Sequence, residues 1–153
     1  MSDRPLRVLA VDDDPLNRAL VRAILARAGG PLRGAELDEA RTIAEGRAAL
    51  NREHFDLVLL DVHLPDGLGL ELATELRSGS PATRPAILAL TASVLPAEQQ
   101  ATIDAGCDAF LAKPYQPETL VEAIRSLIGG DAGTGREAAA ASAPSPGPGA
   151  SIP

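Results

Sequence analysis

Four short apolar runs of this chain hand over to polar residues that could do chemistry. The first ends at Asp12, Asp13 and Asp14, the third at Asp61, the fourth at Thr91, and the fifth at Lys113 with Pro114 behind it. Carboxylates brought this close repel one another and raise each other's pKa. A hard divalent cation relieves the conflict, and Mg2+ suits it, preferring oxygen ligands and taking one or two carboxylates with waters and phosphate oxygens. A carboxylate fixed at a strand end, as Asp61 is after Leu57-Val58-Leu59-Leu60, can attack a phosphoryl group and form an acyl phosphate. Mg2+ would screen the repulsion between the two anions. Lys113 supplies a compact cation with rotatable donors, and Thr91 a hydroxyl for another phosphoryl oxygen. Lys113 is the single lysine among 14 Lys and Arg residues, so the position asks for something arginine does not supply.

Elements of two kinds must carry these groups to one place. The runs Arg7–Val11, Ala35–Ala40, Leu57–Leu60, Ala86–Leu90 and Ala109–Ala112 read as strands, separated by segments of helical period. The second is diluted by Glu36, Asp38 and Glu39, which suits an edge strand. Asp14 can cap the first helix, with Pro15 at its first position. Leu16, Leu20, Ile24 and Ala28 then form one face, and Gly29-Gly30 ends the run. Further helices are expected over Thr42 to Arg52, Leu68 to Arg77 and Pro96 to Ala105, the last stopped by Gly106. A fifth starts at Pro117 and buries Leu120, Val121, Ile124 and Leu127. Five βα repeats are too few for an eight-fold barrel. They predict an α/β fold: a five-stranded parallel sheet, doubly wound, in a (βα)5 flavodoxin-like three-layer sandwich. In such sheets sites form beyond the carboxyl ends of the strands, where the acids, Thr91 and Lys113 are expected.

Composition narrows the function. The chain has 153 residues, a net charge of −7, 45% hydrophobic residues and 2% aromatics, so its core is aliphatic. The acidic balance argues against direct nucleic-acid binding. One cysteine, Cys107, excludes an internal disulfide framework and a Cys-rich metal site, and it reads as a packing residue. No apolar stretch approaches the roughly 20 residues of a membrane span. Met1 to Arg7 run straight into the first strand without a secretory leader, so the expected location is cytoplasmic. From Gly129 to Pro153 the text is rich in Gly, Ala, Ser and Pro, and residues 129–153 are expected to form a disordered tail after a domain over 5–128.

The stretches VLAVDDDPLNR, LVLLDVHLPDGLG with Asp61, Pro65 and Gly69, LALTAS and GCDAFLAKPY resemble the receiver domain of two-component response regulators. The resemblance covers residues 5–128 and implies a role for each site residue. Asp61 is the phosphoacceptor. Asp13, Asp61 and the main-chain carbonyl of His63 bind Mg2+, and Asp12 acts largely through water. Thr91 and Lys113 contact the phosphoryl group, Phe110 changes rotamer as Thr91 moves, and the bond before Pro114 is cis. The phosphoryl donor is a histidine kinase or a histidine phosphotransfer protein. The output face is made by the fourth helix, fifth strand and fifth helix. With no second folded domain in the text, a single-domain regulator is expected. It would be a signalling phosphoacceptor rather than an enzyme, apart from its own Mg2+-dependent phosphorylation and dephosphorylation.

Other readings fit less well. A dehalogenase-like phosphohydrolase uses the same strand-end Asp, Mg2+, Thr and Lys. It needs a second acid two residues after the nucleophile, and that position is His63. A pseudo-receiver would not require the intact set of Asp12, Asp13, Asp61, Thr91 and Lys113. An EF-hand lacks its glycine and terminal glutamate, and DDDPLN is not a dinucleotide fingerprint. His63 lies on a loop without the helical surroundings of a phosphotransfer histidine, and His54, which precedes a strand, reads as a solvated loop residue.

Overall fold

A computed structural model describes residues 5–79, 84–92 and 95–128. Strands β1 (Arg7–Val11), β2 (Glu36–Ala40), β3 (Leu57–Asp61), β4 (Ala86–Thr91) and β5 (Ala109–Ala112) form one sheet in the order β2-β1-β3-β4-β5, every pairing parallel. Helices α1 (Pro15–Arg27), α2 (Ile43–Arg52), α3 (Leu70–Arg77), α4 (Pro96–Asp104) and α5 (Pro117–Ile128) make the crossovers and close the fold. The expected doubly wound sandwich is the one observed. The proposed tail lies outside the described residues.

Alternation along the strands divides the core in two. Val8, Ala10, Leu57, Leu59, Leu88 and Leu90 face α1 and α5, where Val21, Ile24, Leu25, Leu120, Ala123 and Ile124 meet them. Leu9, Val11, Val58, Leu60, Ile87 and Ala89 face the other way, against Ile43, Ala49, Leu72 and Ala73 of α2 and α3. Strands covered on both faces need the continuous apolar runs seen in β1, β3 and β4. Strand β2 lies at an edge, as its charges predict, and Glu39 there meets Arg18 and Arg22 of α1 at about 3 Å.

Three expectations need correction. Leu16 and Leu20 do not belong to the buried face of α1: they are 77% and 41% exposed, and Val21, Ile24 and Leu25 make the inward face instead. Helix α3 starts at Leu70 rather than Leu68, because His63–Leu64 and Gly67–Leu68 pair as a short antiparallel ribbon. On α5, Val121 and Leu127 are half-buried, while Ala123 is fully inside with Leu120 and Ile124.

Strand and helix ends follow the local chemistry. Asp14 caps α1, its carboxylate accepting from the Leu16 amide at 2.9 Å, with Pro15 at the first position. Thr42 caps α2 through the Glu45 amide at 3.0 Å. Strands β3 and β4 each run one residue further than expected, so Asp61 and Thr91 are held in ladder geometry as terminal residues.

Candidate functional site

The topology reverses around β1, which has β2 on one side and β3 on the other, and the acids collect beside that reversal. Val11 of β1 is registered with Leu60 of β3, so the next residues, Asp12 and Asp61, emerge side by side. Asp12 and Asp61 are buried, Asp13 is exposed, and one carboxylate oxygen from each of the three lies within 4.8 Å of the others. These oxygens are close enough to share one cation, and hard carboxylate donors beside an open face suit a divalent ion that keeps waters.

Each acid is aimed by backbone contacts. The Asp12 carboxylate accepts from the Asp14 amide at 2.9 Å, and the Asp12 amide donates to the Ala40 carbonyl of β2, also at 2.9 Å. Arg18 adds a bond from its guanidinium to the Asp12 carbonyl at 2.7 Å while holding Glu39. Asp61 accepts from the His63 amide at 3.3 Å. The turn that follows folds back tightly: the Gly69 amide donates to the Val62 carbonyl at 2.6 Å, and a Cβ built at Gly69 would overlap the Asp61 carbonyl oxygen. Only glycine permits that approach, which explains Gly69 in the motif.

Lys113 closes the site from β5. Its Nζ stands 3.4 Å from Asp61 and 3.5 Å from Asp12, with the side chain 21% exposed. Its amide donates to the Thr91 carbonyl at 2.8 Å, so the lysine and the buried Thr91 are fixed to one another across β4 and β5. Burial pushes the Asp61 carboxyl above the ordinary carboxylate range; Lys113 opposes this and Asp12 adds to it. The Lys113–Pro114 bond is cis, as expected. Phe110 is half-buried on the α2 and α3 side of β5, paired in register with Ala89, near the strand end that carries Thr91.

Asp12, Asp13, Asp61 and Lys113 therefore converge on one rim, with Thr91 fixed beside Lys113. His63 is exposed at the start of the ribbon. His54 is an exposed loop residue 3.6 Å from Asp56. Cys107 is buried and its thiol is pushed up to about 12 by burial, so it packs rather than reacts. Sequence reasoning missed Arg18 and Asp66. Arg18 carries a weak signal, standing one helical turn beyond the acids inside DPLNR. Asp66, whose carboxylate accepts from two amides of α2, carries none, because its partners lie 22 and 23 residues away.

The molecule is thus a doubly wound five-stranded parallel α/β sandwich with three acids, a hydroxyl and a lysine gathered at the carboxyl end of its sheet. The response regulator receiver domain model matches residues 8–125, and the chain belongs to that family. The chain is 38% identical over 125 residues to the two-component response regulator ORR41 of Oryza sativa subsp. japonica, covering 78% of this chain and 92% of that one. It is 35% identical over 128 residues to the transcriptional regulatory protein GltR of Pseudomonas aeruginosa, covering 84% of this chain but only 51% of GltR. Among solved structures, the receiver domain of the sensor histidine kinase PA1611 from Pseudomonas aeruginosa superposes with a TM-score of 0.71 at 26% identity, over 82% of this chain and 99% of that one. That structure holds a magnesium ion in its active site cleft. No described helix is long and apolar enough to cross a membrane.

Proposed function

We propose that the chain is a response regulator receiver that accepts a phosphoryl group on Asp61 from a histidine kinase or a histidine phosphotransfer protein. The observation that carries this reading is the convergence on Asp61: two further carboxylates within 4.8 Å and the Lys113 ammonium at 3.4 Å. Asp13, Asp61 and the His63 carbonyl are the direct ligands proposed for Mg2+, with Asp12 acting through water. Bound there, Mg2+ supplies charge neutralisation for the transferring phosphoryl oxygens.

In the transfer, an Asp61 carboxylate oxygen forms a bond to phosphorus as the P–N bond of the donor phosphohistidine breaks. The electron pair stays on the imidazole nitrogen, which takes a proton from solvent. Lys113 moves its contact from the Asp61 oxygen to a phosphoryl oxygen, and Thr91 donates its hydroxyl to another. Phe110 follows Thr91, altering the face made by α4, β5 and α5, on which a target protein docks. Leu16, exposed two residues after Asp14, gives an incoming donor an apolar foothold beside the acids. The same groups support self-phosphorylation by small phosphoryl donors and slow hydrolysis of the acyl phosphate. The compartment proposed is the cytoplasm, with neither nucleic acid nor membrane as a direct partner.

Incubation with acetyl phosphate and Mg2+, followed by intact-mass spectrometry, tests the reading. One labile phosphate adduct is expected in the wild type and none in Asp61→Asn. A wild type without an adduct would leave a partner-binding pseudo-receiver. Multiple turnover of phosphate esters would point instead to a hydrolase.

A further inference from the structure

The loop between Asp61 and α3 is tied to the rest of the molecule at a second point, in its turn. Its ribbon pairs His63 with Leu68 and Leu64 with Gly67, and the exposed turn between them carries Pro65 and Asp66. From that turn the Asp66 carboxylate reaches α2, accepting from the Ile43 amide at 2.9 Å and from the Ala44 amide at 3.1 Å. We propose that Asp66 is a positioning residue for the phosphoacceptor loop, holding the His63 carbonyl in place for the metal by fastening the ribbon to the first turn of α2. The proposal rests on the Asp61 reading above.

Three features favour this role over simple helix capping. First, α2 already has a cap of its own. Thr42 accepts from the Glu45 amide at 3.0 Å, and the Glu45 carboxylate reaches back to the Arg41 amide, one residue before the cap, at 2.9 Å, an arrangement close to a capping box. The two amides that Asp66 takes, those of Ile43 and Ala44, belong to the first two positions of α2 and are left open by that internal cap.

Second, the ribbon is shaped to this contact. Gly67 has φ +143°, and a Cβ there would come 3.2 Å from the Glu71 carboxylate and 3.3 Å from Ile43 Cδ1. A side chain at Gly67 would both strain the turn and wedge it from α2. Third, the other end of the loop is already fixed, since Gly69 packs on the Asp61 backbone and the Val62 amide donates to the Leu90 carbonyl at 3.2 Å. His63 stands between these two anchorages. Releasing the Asp66 end frees its carbonyl direction while leaving the Asp61 end fastened.

Helix α2 is a firm anchor. Gly46 lets it approach Val11 and Leu72 closely, with a built Cβ at 3.1 and 3.2 Å from their methyl groups. Arg47 pairs with Glu75 of α3 through contacts of 2.9 and 2.6 Å. The Asp66 carboxylate is itself kept ready to accept. The Ile43 amide, ahead of the other backbone donors, holds it below its ordinary pKa, so it stays ionised at neutral pH.

The test compares Asp66→Ala and Asp66→Asn with Thr42→Ala, which removes the cap internal to α2 and leaves the ribbon alone. Mg2+ binding to the full chain is measured by isothermal titration calorimetry, alongside Tm in EDTA and amide hydrogen exchange over residues 63–68. Asp66→Ala is expected to weaken Mg2+ binding by roughly ten-fold, the lower end for groups that orient metal ligands, and to speed exchange in the ribbon. Asp66→Asn keeps one acceptor oxygen and falls between Asp66→Ala and wild type. Thr42→Ala lowers Tm without moving the Mg2+ affinity. If Asp66→Ala and Thr42→Ala both lose Tm and both bind Mg2+ like wild type, Asp66 is only a helix cap and the proposal is overturned. Should Asp66→Ala not fold, the Asn variant reads the same affinity. A wild type that binds no Mg2+ would remove the underlying reading, and this one with it.

Discussion

At the scale of single residues, the lone lysine has a position that explains it. Lys113 Nζ is near equidistant from Asp61 and Asp12, at 3.4 and 3.5 Å, in a space bounded by two buried acids and the buried Thr91. An ammonium is a point charge with three rotatable donors, and it can exchange a carboxylate oxygen for a phosphoryl oxygen with little motion. A guanidinium is planar and prefers to take two oxygens at once. In Lys113→Arg it would bridge Asp12 and Asp61 and occupy the volume the phosphoryl group needs. We therefore expect Lys113→Arg to keep its charge and fold but to accumulate the acetyl phosphate adduct at least about ten-fold more slowly, the cost of one misplaced interaction of about 1.4 kcal/mol in the transition state. Intact-mass time courses at fixed Mg2+ measure this, and a wild-type rate in the variant would show that charge alone suffices.

At the scale of elements, α1 shows which side chains carry stability. Val21, Ile24 and Leu25 enter the core with β1 and β3, whereas Leu16 and Leu20 are exposed. Leu25→Ala should cost roughly 2–5 kcal/mol by chemical denaturation. The pair Leu16→Ser with Leu20→Ser should change stability by no more than about 0.5 kcal/mol. Similar losses in both would mean that the outer leucines are covered. The same helix shows what periodicity can reveal. Leu16, Leu20, Ile24 and Ala28 recur at one spacing, and spacing alone cannot tell which positions along that stripe the rest of the fold covers. Strand positions were more legible, because β1, β3 and β4 are buried on both faces and read as unbroken apolar runs. The acids, Thr91 and Lys113 were legible because each follows such a run directly. Asp66 was not, since its hydrogen bonds join a loop to a distant helix, and the pattern around it is that of an ordinary turn.

At the scale of the whole molecule, two apolar layers clamp the sheet and force like charges together at one end. Folding buries Asp61 beside Asp12, and this raises the Asp61 pKa above its unfolded value. A raised carboxyl pKa contributes stability that is fully present below the unfolded pKa and lost as pH rises through the folded one. At neutral pH the metal-free protein therefore carries a cost at Asp61, which Lys113 offsets only in part. Asp61→Asn removes the charge, keeps the shape and leaves Lys113 its contact with Asp12. In EDTA at neutral pH the variant should melt above wild type. Mg2+ binds the folded state and stabilises it by mass action, about 2.7 kcal/mol at a hundred-fold excess over Kd, and a carboxamide is the poorer ligand. The wild-type Tm should thus rise more steeply with Mg2+, and the two curves should cross as the ion is titrated. Calorimetric scans across that titration decide the matter. Parallel curves would mean that Asp61 does not hold the ion, and a variant already less stable in EDTA would mean that the buried carboxylate is no burden to the fold.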